Sequence, residues 1–261
     1  MAVNYLNNKD MLAEIHKSKS TYCSFISEED KEYDIILPSV DKINIRTVAQ
    51  AKRDRAKRIS KRTGETVKPQ SFDKYDVVFR IMTFDHIPNS NRKNKPKTIA
   101  DSKAKCNFPP FQHWRYNDQD ELICVGKSHW KHGLENGKFS VDHGKMTNKL
   151  ARMFLLLTQR YGTRGNWRGY TYNDEMQGQA LMQLSQIGLQ FDESKSDNPF
   201  AYYTAAITNS FTRILNVEKK NQSLRDDILQ ENGMTPSHTR QMEWEIQQRK
   251  ERDIDAKSKK I

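Results

Sequence analysis

The clearest hydrophobic periodicity lies in the second half of the chain. In MTNKLARMFLLLTQRYG (146–162), Leu150, Met153, Phe154, Leu157 and Tyr161 recur at i, i+3, i+4 and i+7 spacing. Thr147 is the expected cap at the start and Gly162 the stop. A polar turn, TRGNWRGYT (163–171), with Trp167 as an apolar pin, leads into YNDEMQGQALMQLSQIGLQFD (172–192). There Met176, Ala180, Leu181, Leu184 and Ile187 line one face, and Asn173 or Asp174 is the expected cap. After the turn ESKSDN (193–198), Asn198 caps a third helix and Pro199 takes its first helical position. Its stripe is Phe200, Tyr203, Ile207, Phe211, Ile214 and Leu215, running to about Lys220. A fourth helix is expected over about 223–231, stopped by Asn232-Gly233. A last, charged one follows Thr235-Pro236, with only Met242, Trp244, Ile246 and Ile254 as apolar positions. Adjacent amphipathic helices joined by short turns predict a small bundle.

The first half is patterned differently. A short amphipathic helix starts near Asn7-Asn8, with Asn8 as a cap and Met11, Leu12 and Ile15 on one face. YDIILPS (33–39), KINIRTV (42–48) and DVVFRIMTF (76–84) are rich in β-branched and aromatic residues and predict strands. Between the last two lies AKRDRAKRISKR (51–62), a basic helix stopped at Gly64. Residues 88–112 carry Pro88, Pro96, Pro109 and Pro110 and predict a loop. HWRYNDQDELICVG (113–126) predicts a hairpin, and 126–145 a Gly-rich connector.

Composition narrows the function classes. Only 35% of the 261 residues are hydrophobic and 30% are charged, enough for a modest core with some loosely packed chain. The formal net charge of +11 points to a nucleic-acid partner, because cations beside phosphates release condensed counterions. Residues 1–145 hold 27 Lys and Arg against 19 Asp and Glu, so most of the surplus sits there. Three widely spaced cysteines, Cys23, Cys106 and Cys124, imply no disulfide framework and fit a reducing cytoplasm. The start MAVNYLNNKD has no signal pattern, and no apolar run reaches membrane-spanning length, so no membrane partner is expected.

Enzyme signatures are missing: no G-x-x-x-x-G-K-[ST] loop, no G-x-S-x-G elbow, no H-E-x-x-H. Cys106, His113, Cys124, His129, His132 and His143 crowd together, but without the tight C-x-x-C knuckle typical of structural zinc; ordinary histidines in a polar loop are the expectation. The third helix is more telling. Phe200, Tyr202 and Tyr203 cluster at its start, followed by Thr204, Thr208, Asn209, Thr212 and Arg213. Aromatics stack on unpaired bases, Asn bonds adenine edges, Thr methyls pack on thymine and Arg clamps phosphate. The same aromatics at helical spacing also suit a core.

NDEMQGQALMQLSQIGLQFDESKSDNPFAYYTAAITNSFTRILNVEKK (173–220) resembles region 2 of bacterial sigma factors, and most of all the late-transcription sigma factors of T-even-like phages. The features that carry the resemblance are DEM at 174–176, GLxFDExK at 188–195, NPFAYYT at 198–204 and TRI…EKK at 212–220. NYLNNKDMLAEI (4–15) and NKLARMFLLLTQRYGTRGNWRGYT (148–171) are similar to segments that open the same proteins and precede region 2. GNWRGYTYNDEM (165–176) is nearest to cyanophage-like members. About 90 of the 261 residues are covered.

The resemblance implies a phage-encoded factor, working in the bacterial host cytoplasm, that is not itself an enzyme and needs no cofactor. Its implied partners are the β′ clamp helices of host core RNA polymerase and promoter DNA, with a phage coactivator and the sliding clamp as further family partners. Glu175, Gln179, Gln183 and Gln186 would meet polymerase. Phe200, Tyr202 and Tyr203 would capture flipped bases of an AT-rich −10-like element, with Asn209, Thr212 and Arg213 on its upstream edge and phosphates. Two departures stand out. Housekeeping members carry a tandem Trp where this chain has Ala205 and Ala206, and no helix-turn-helix for a −35 element follows residue 222. The closing DIDAKSKKI (253–261) is basic where a clamp-binding tail is acidic and hydrophobic.

The expected fold is therefore mainly α: a sigma region 2-like helical bundle in the C-terminal half, with an N-terminal mixed α/β or loop-rich basic insertion. The expected division is an N-terminal helix (1–17), a basic insertion (18–140), the helical region (146–222) and a charged helical tail (223–261). The alternative function is a metal-dependent nuclease or other DNA-processing enzyme, which requires His129, His132 and His143 to converge.

Overall fold

A computed structural model describes residues 6–88 and 94–258. Residues 4–5 of the opening motif and 259–261 of the basic tail lie outside the described residues. Six helices and a five-stranded mixed sheet make up the described chain, which is 49% helical and 11% strand. The expectation of a mainly α protein is overturned: the fold is mixed α/β. The β-branched runs of the first half assemble into a genuine sheet, where the sequence reading left open a loop-rich insertion.

Helix α1 (Asn8–Ser20) is capped by Asn7, whose side chain accepts from the Asp10 N–H. The sheet has order β1-β5-β4-β3-β2, from β1 (Cys23–Phe25), β2 (Ile35–Leu37), β3 (Phe79–Met82), β4 (Phe111–Tyr116) and β5 (Leu122–Ser128). Its neighbours are antiparallel except β2 and β3, which run parallel and are joined by the basic helix α2 (Ile45–Thr63). Parallel neighbours need such a crossover. The strand expected at 42–48 does not form. Asn44 and Thr47 make a reciprocal capping box that starts α2 instead, so local hydrogen bonding overrides β-branched content. The hairpin expected over 113–126 is β4 and β5. A small ribbon, β6 (Trp130–Lys131) with β7 (Lys138–Phe139), precedes the helical half.

That half contains α3 (Asn148–Gly162), α4 (Asn173–Ile187), α5 (Pro199–Glu231) and α6 (His238–Ser258). Thr147 caps α3 as expected. Asn173 does not cap α4; its amide donates to the Gly162 and Trp167 carbonyls and ties two helices together. The break expected near residue 222 is absent and α5 runs unbroken for 33 residues, since neither Gly nor Pro interrupts it.

One core crosses both halves. Met11 and Ile15 of α1, Phe108, and Phe111 of β4 pack in the same cluster as Leu150, Phe154, Ala180, Leu184, Tyr203, Ile207 and Phe211. Burial of each large apolar side chain stabilises by about 1.5–3 kcal/mol. A second, smaller core of Leu37, Ala51, Val77, Phe79 and Ile81 seats α2 on the sheet.

A polar seam runs between the halves. The Lys19 ammonium, 1% exposed, donates to both Glu193 carboxylate oxygens at 2.8 and 2.7 Å and to the Phe191 carbonyl at 2.6 Å. Nearby, the buried Arg80 guanidinium lies 3.9 Å from the Tyr33 ring centroid and 3.8 Å from that of Phe111. Its Nε donates to His113 Nε2 at 2.9 Å. His113 Nδ1 lies 2.6 Å from the Asp30 carbonyl, an acceptor only, so the proton sits on Nδ1 and the ring is neutral. Burial, helped by Arg80, holds the His113 pKa well below its ordinary value.

Glu193→Gln strands the Lys19 charge and is expected to lower stability by about 3–5 kcal/mol, read from urea midpoints. Burial pushes the Glu193 carboxyl up, but nearby cations, Lys19 foremost, outweigh it and hold the pKa at about 2, below the ordinary 4.5. A depressed carboxylate contributes stability that is full above about pH 4.5 and lost as pH falls toward 2. The gap between wild type and variant should close across that window; a gap constant down to pH 2 contradicts the pairing.

Candidate nucleic-acid and polymerase interface

The candidate interface residues stand on two helices fixed from below. Asn198 accepts from the Ala201 N–H and Pro199 presets the first turn of α5. The Phe200 N–H, a second open donor of that turn, is taken by Asn8 Oδ1 of α1 at 3.2 Å. Along α5, Tyr203, Ile207 and Phe211 recur every four residues and face the core. Tyr203 is fully buried, packs edge-on against Phe154 at 4.7 Å, and donates to the Gly188 carbonyl. Gly188 is required there, because a Cβ would sit 2.6 Å from the Phe154 ring.

This burial corrects one expectation: Tyr203 cannot stack on a base, because its ring is sealed in the core and its hydroxyl is bonded. Phe200 is half-buried and packs against the same core. Tyr202, rotated about 100° from Tyr203, is half-buried and meets Phe191 at 5.6 Å and Tyr203 at 5.2 Å. Its hydroxyl has no protein partner among the described residues, and burial pushes its pKa upward.

Tyr202 lines a groove of about 420 Å³ between α4 and α5. Gln179 and Gln183 form the α4 wall, Asn209 and Arg213 the α5 wall, and Ala205 and Ala206 leave the space between them open. A shallower trough of about 490 Å³ continues along α5 past Asn209, Thr212, Arg213, Asn216 and Lys220. Asn209, Thr212 and Arg213 are exposed, and Arg213 makes no ion pair with any described residue. The groove can therefore hold a flat ring beside Tyr202, offer amides to its edge and present a free guanidinium to an anion.

Glu175, Gln179, Gln183 and Gln186 share one face of α4, with Glu175 and Gln186 exposed. Gln179 and Gln183 open into the same groove as Tyr202, so the residues assigned from sequence to two different partners meet along one edge.

The six candidate metal ligands do not converge. His113 is locked under Arg80, His129 is buried 4.1 Å from the Phe108 ring, and His143 lies edge-on to Tyr22. No group of three His, Cys, Asp or Glu among the described residues is placed to hold a metal. The histidine arrangement that the nuclease reading requires is not present.

Tyr203→Ala is expected to destabilise the fold by about 3–5 kcal/mol in urea titration, as large core truncations do. Tyr202→Ala should cost under half of that. Equal costs would mean that both rings belong to the core.

Among the described residues, no helix is long and apolar enough to cross a membrane. Compared with known proteins, the chain matches no family model, no curated protein and no solved structure.

Proposed function

We propose that this chain is a transcription initiation factor of the sigma type, similar to the late factors of T-even-like phages. It binds host core RNA polymerase and directs it to an AT-rich −10-like element. It lends specificity and opens DNA but makes and breaks no covalent bond.

One observation carries the reading: the half-buried Tyr202 ring opens into a groove walled by the amides of Gln179, Gln183 and Asn209 and by the unpaired Arg213. Together with the region 2 resemblance of 173–220, it supports capture of an unstacked base. Thermal opening at a flexible TA step exposes an adenine. Stacking on Tyr202 is worth about 1–3 kcal/mol and offsets part of the unpairing cost. The Asn209 amide matches the donor and acceptor pair of an adenine edge, and Arg213 takes the adjoining phosphate. Tyr203 supports this from beneath as a core residue. Ala205 and Ala206, in place of the tandem Trp of housekeeping members, leave room for the base but supply no wedge. The outer α4 face, with Glu175 and Gln186, is the side offered to the β′ clamp helices. Phage origin, a coactivator and the sliding clamp belong to the same reading.

Pull-down with host core polymerase and run-off transcription on late promoters test it. Tyr202→Ala should cut open-complex formation roughly 5- to 100-fold, the size of one lost base stack, while polymerase binding survives. Wild-type chain that ignores core polymerase at low salt would overturn the proposal.

A further inference from the structure

Helix α2 carries eight Lys and Arg against one acid, and it divides them by face. Arg55, Arg58 and Arg62 point to the body of the protein. Arg58 reaches Asp34 at 2.7 Å, Arg55 reaches it at 3.4 Å, and Arg62 meets Glu32 at 2.6 Å. Arg46, Arg53, Lys57 and Lys61 follow i, i+7, i+11, i+15 spacing on the opposite side and are exposed. Of these four, only Lys57 forms an ion pair among the described residues, with Asp54 of its own helix at 3.8 Å. The stripe spans about 22 Å at about 1.5 Å per residue.

The stripe does not end with α2. Lys61 lies against Lys9 of α1, and that contact lowers the Lys61 pKa below the ordinary lysine value; Asp10 counters it only weakly. Both side chains are exposed, so the pair is open to an anion from solvent. Lys9 is the neighbour of Asn8, whose side chain holds the first turn of α5 at Phe200. The exposed cations of α2 therefore reach the start of α1.

We infer that Arg46, Arg53, Lys57 and Lys61, with Lys9 beside them, form a phosphate rail for duplex DNA, a second nucleic-acid surface in addition to the α4–α5 groove. The inference rests on the nucleic-acid reading of that groove. The rail's 22 Å matches the rise of about six base pairs at about 3.4 Å each. It reads no sequence, since it offers only two ammonium and two guanidinium groups to the backbone; its task is to hold the double strand by its phosphates.

The test uses the full chain with a blunt duplex and, separately, an AT-rich single strand, each titrated across a salt series. The variant R46Q/R53Q/K57Q/K61Q should reduce the log–log salt slope for duplex binding by about 3.6, given about 0.9 per phosphate contact. K68Q/K97Q/K105Q/K138Q removes the same charge at exposed sites elsewhere and should leave more of the slope in place. Single-strand binding should respond to Tyr202→Ala and hardly to the stripe variant. Equal slopes for the two quadruple variants overturn the rail, and Tyr202-dependent strand binding would then still stand. A stripe variant that keeps the duplex slope but loses core polymerase in pull-down overturns it too, marking a protein surface. Binding of neither nucleic acid at low salt removes both the rail and the groove reading.

Discussion

The buried pair between Lys19 and Glu193 is the constraint on which the rest depends. Its two ends are 174 residues apart in sequence, one on the first helix and one in the turn that launches α5. A lysine at 1% exposure is tolerable only with its charge met and its donors used, and the two carboxylate oxygens and the Phe191 carbonyl do both. The turn at 191–193 is thereby held against α1. The Asn8 bond to Phe200 then sets the first turn of α5, and with it the depth at which Tyr202 sits. Loosening the pair would reach the groove through a few residues of chain.

A basic insertion and a helical region that folded apart would each close a core of its own. Here α1 and β4 contribute Met11, Ile15 and Phe111 to the cluster built by α3, α4 and α5. Arg80, clamped between two rings and bonded to a neutral His113, fills the seam where the sheet approaches that cluster. The sheet is part of the platform on which the helices stand. α6 is the exception: Ser237 and Arg240, at its start, bond Asp226 and Asp227 of α5, while Trp244 and Ile254 remain mostly exposed.

Much of the helical half was legible because its signals are local. The stripe of α3, its Thr147 cap and the Asn198-Pro199 start of α5 all lie within a few residues of the features they specify. The basic helix was legible for the same reason. What failed was decided at longer range or by competing local rules. KINIRTV has strand composition, yet Asn44 and Thr47 satisfy each other's backbone and start a helix. Gln222 and Ser223 look like a polar break between two stripes, but Gln is a good helix former and neither Gly nor Pro intervenes, so α5 continues through them. Tyr202 and Tyr203 are identical residues one position apart; the four-residue recurrence with Ile207 and Phe211 singles out Tyr203 as core, and a list based on residue type could not separate them. Lys19, Arg80 and Glu193 gave no signal, because pairing across 174 residues leaves no mark in composition or spacing.

The charge of +11 becomes informative only when divided into engaged and free cations. Those facing inward are satisfied at short range: Lys19 by Glu193, Arg58 by Asp34, Arg115 by Asp30. On α2 the inward set is all Arg, whose planar fork can serve a carboxylate and a carbonyl at once, as Arg58 does with Asp34 and Tyr33. The outward set mixes Arg with Lys, and a flexible point charge is sufficient for a partner that is met only on binding. Three acids of the first half, Asp30, Glu32 and Asp34, are taken by arginines, while Arg46 and Arg53 of α2 have no carboxylate partner among the described residues.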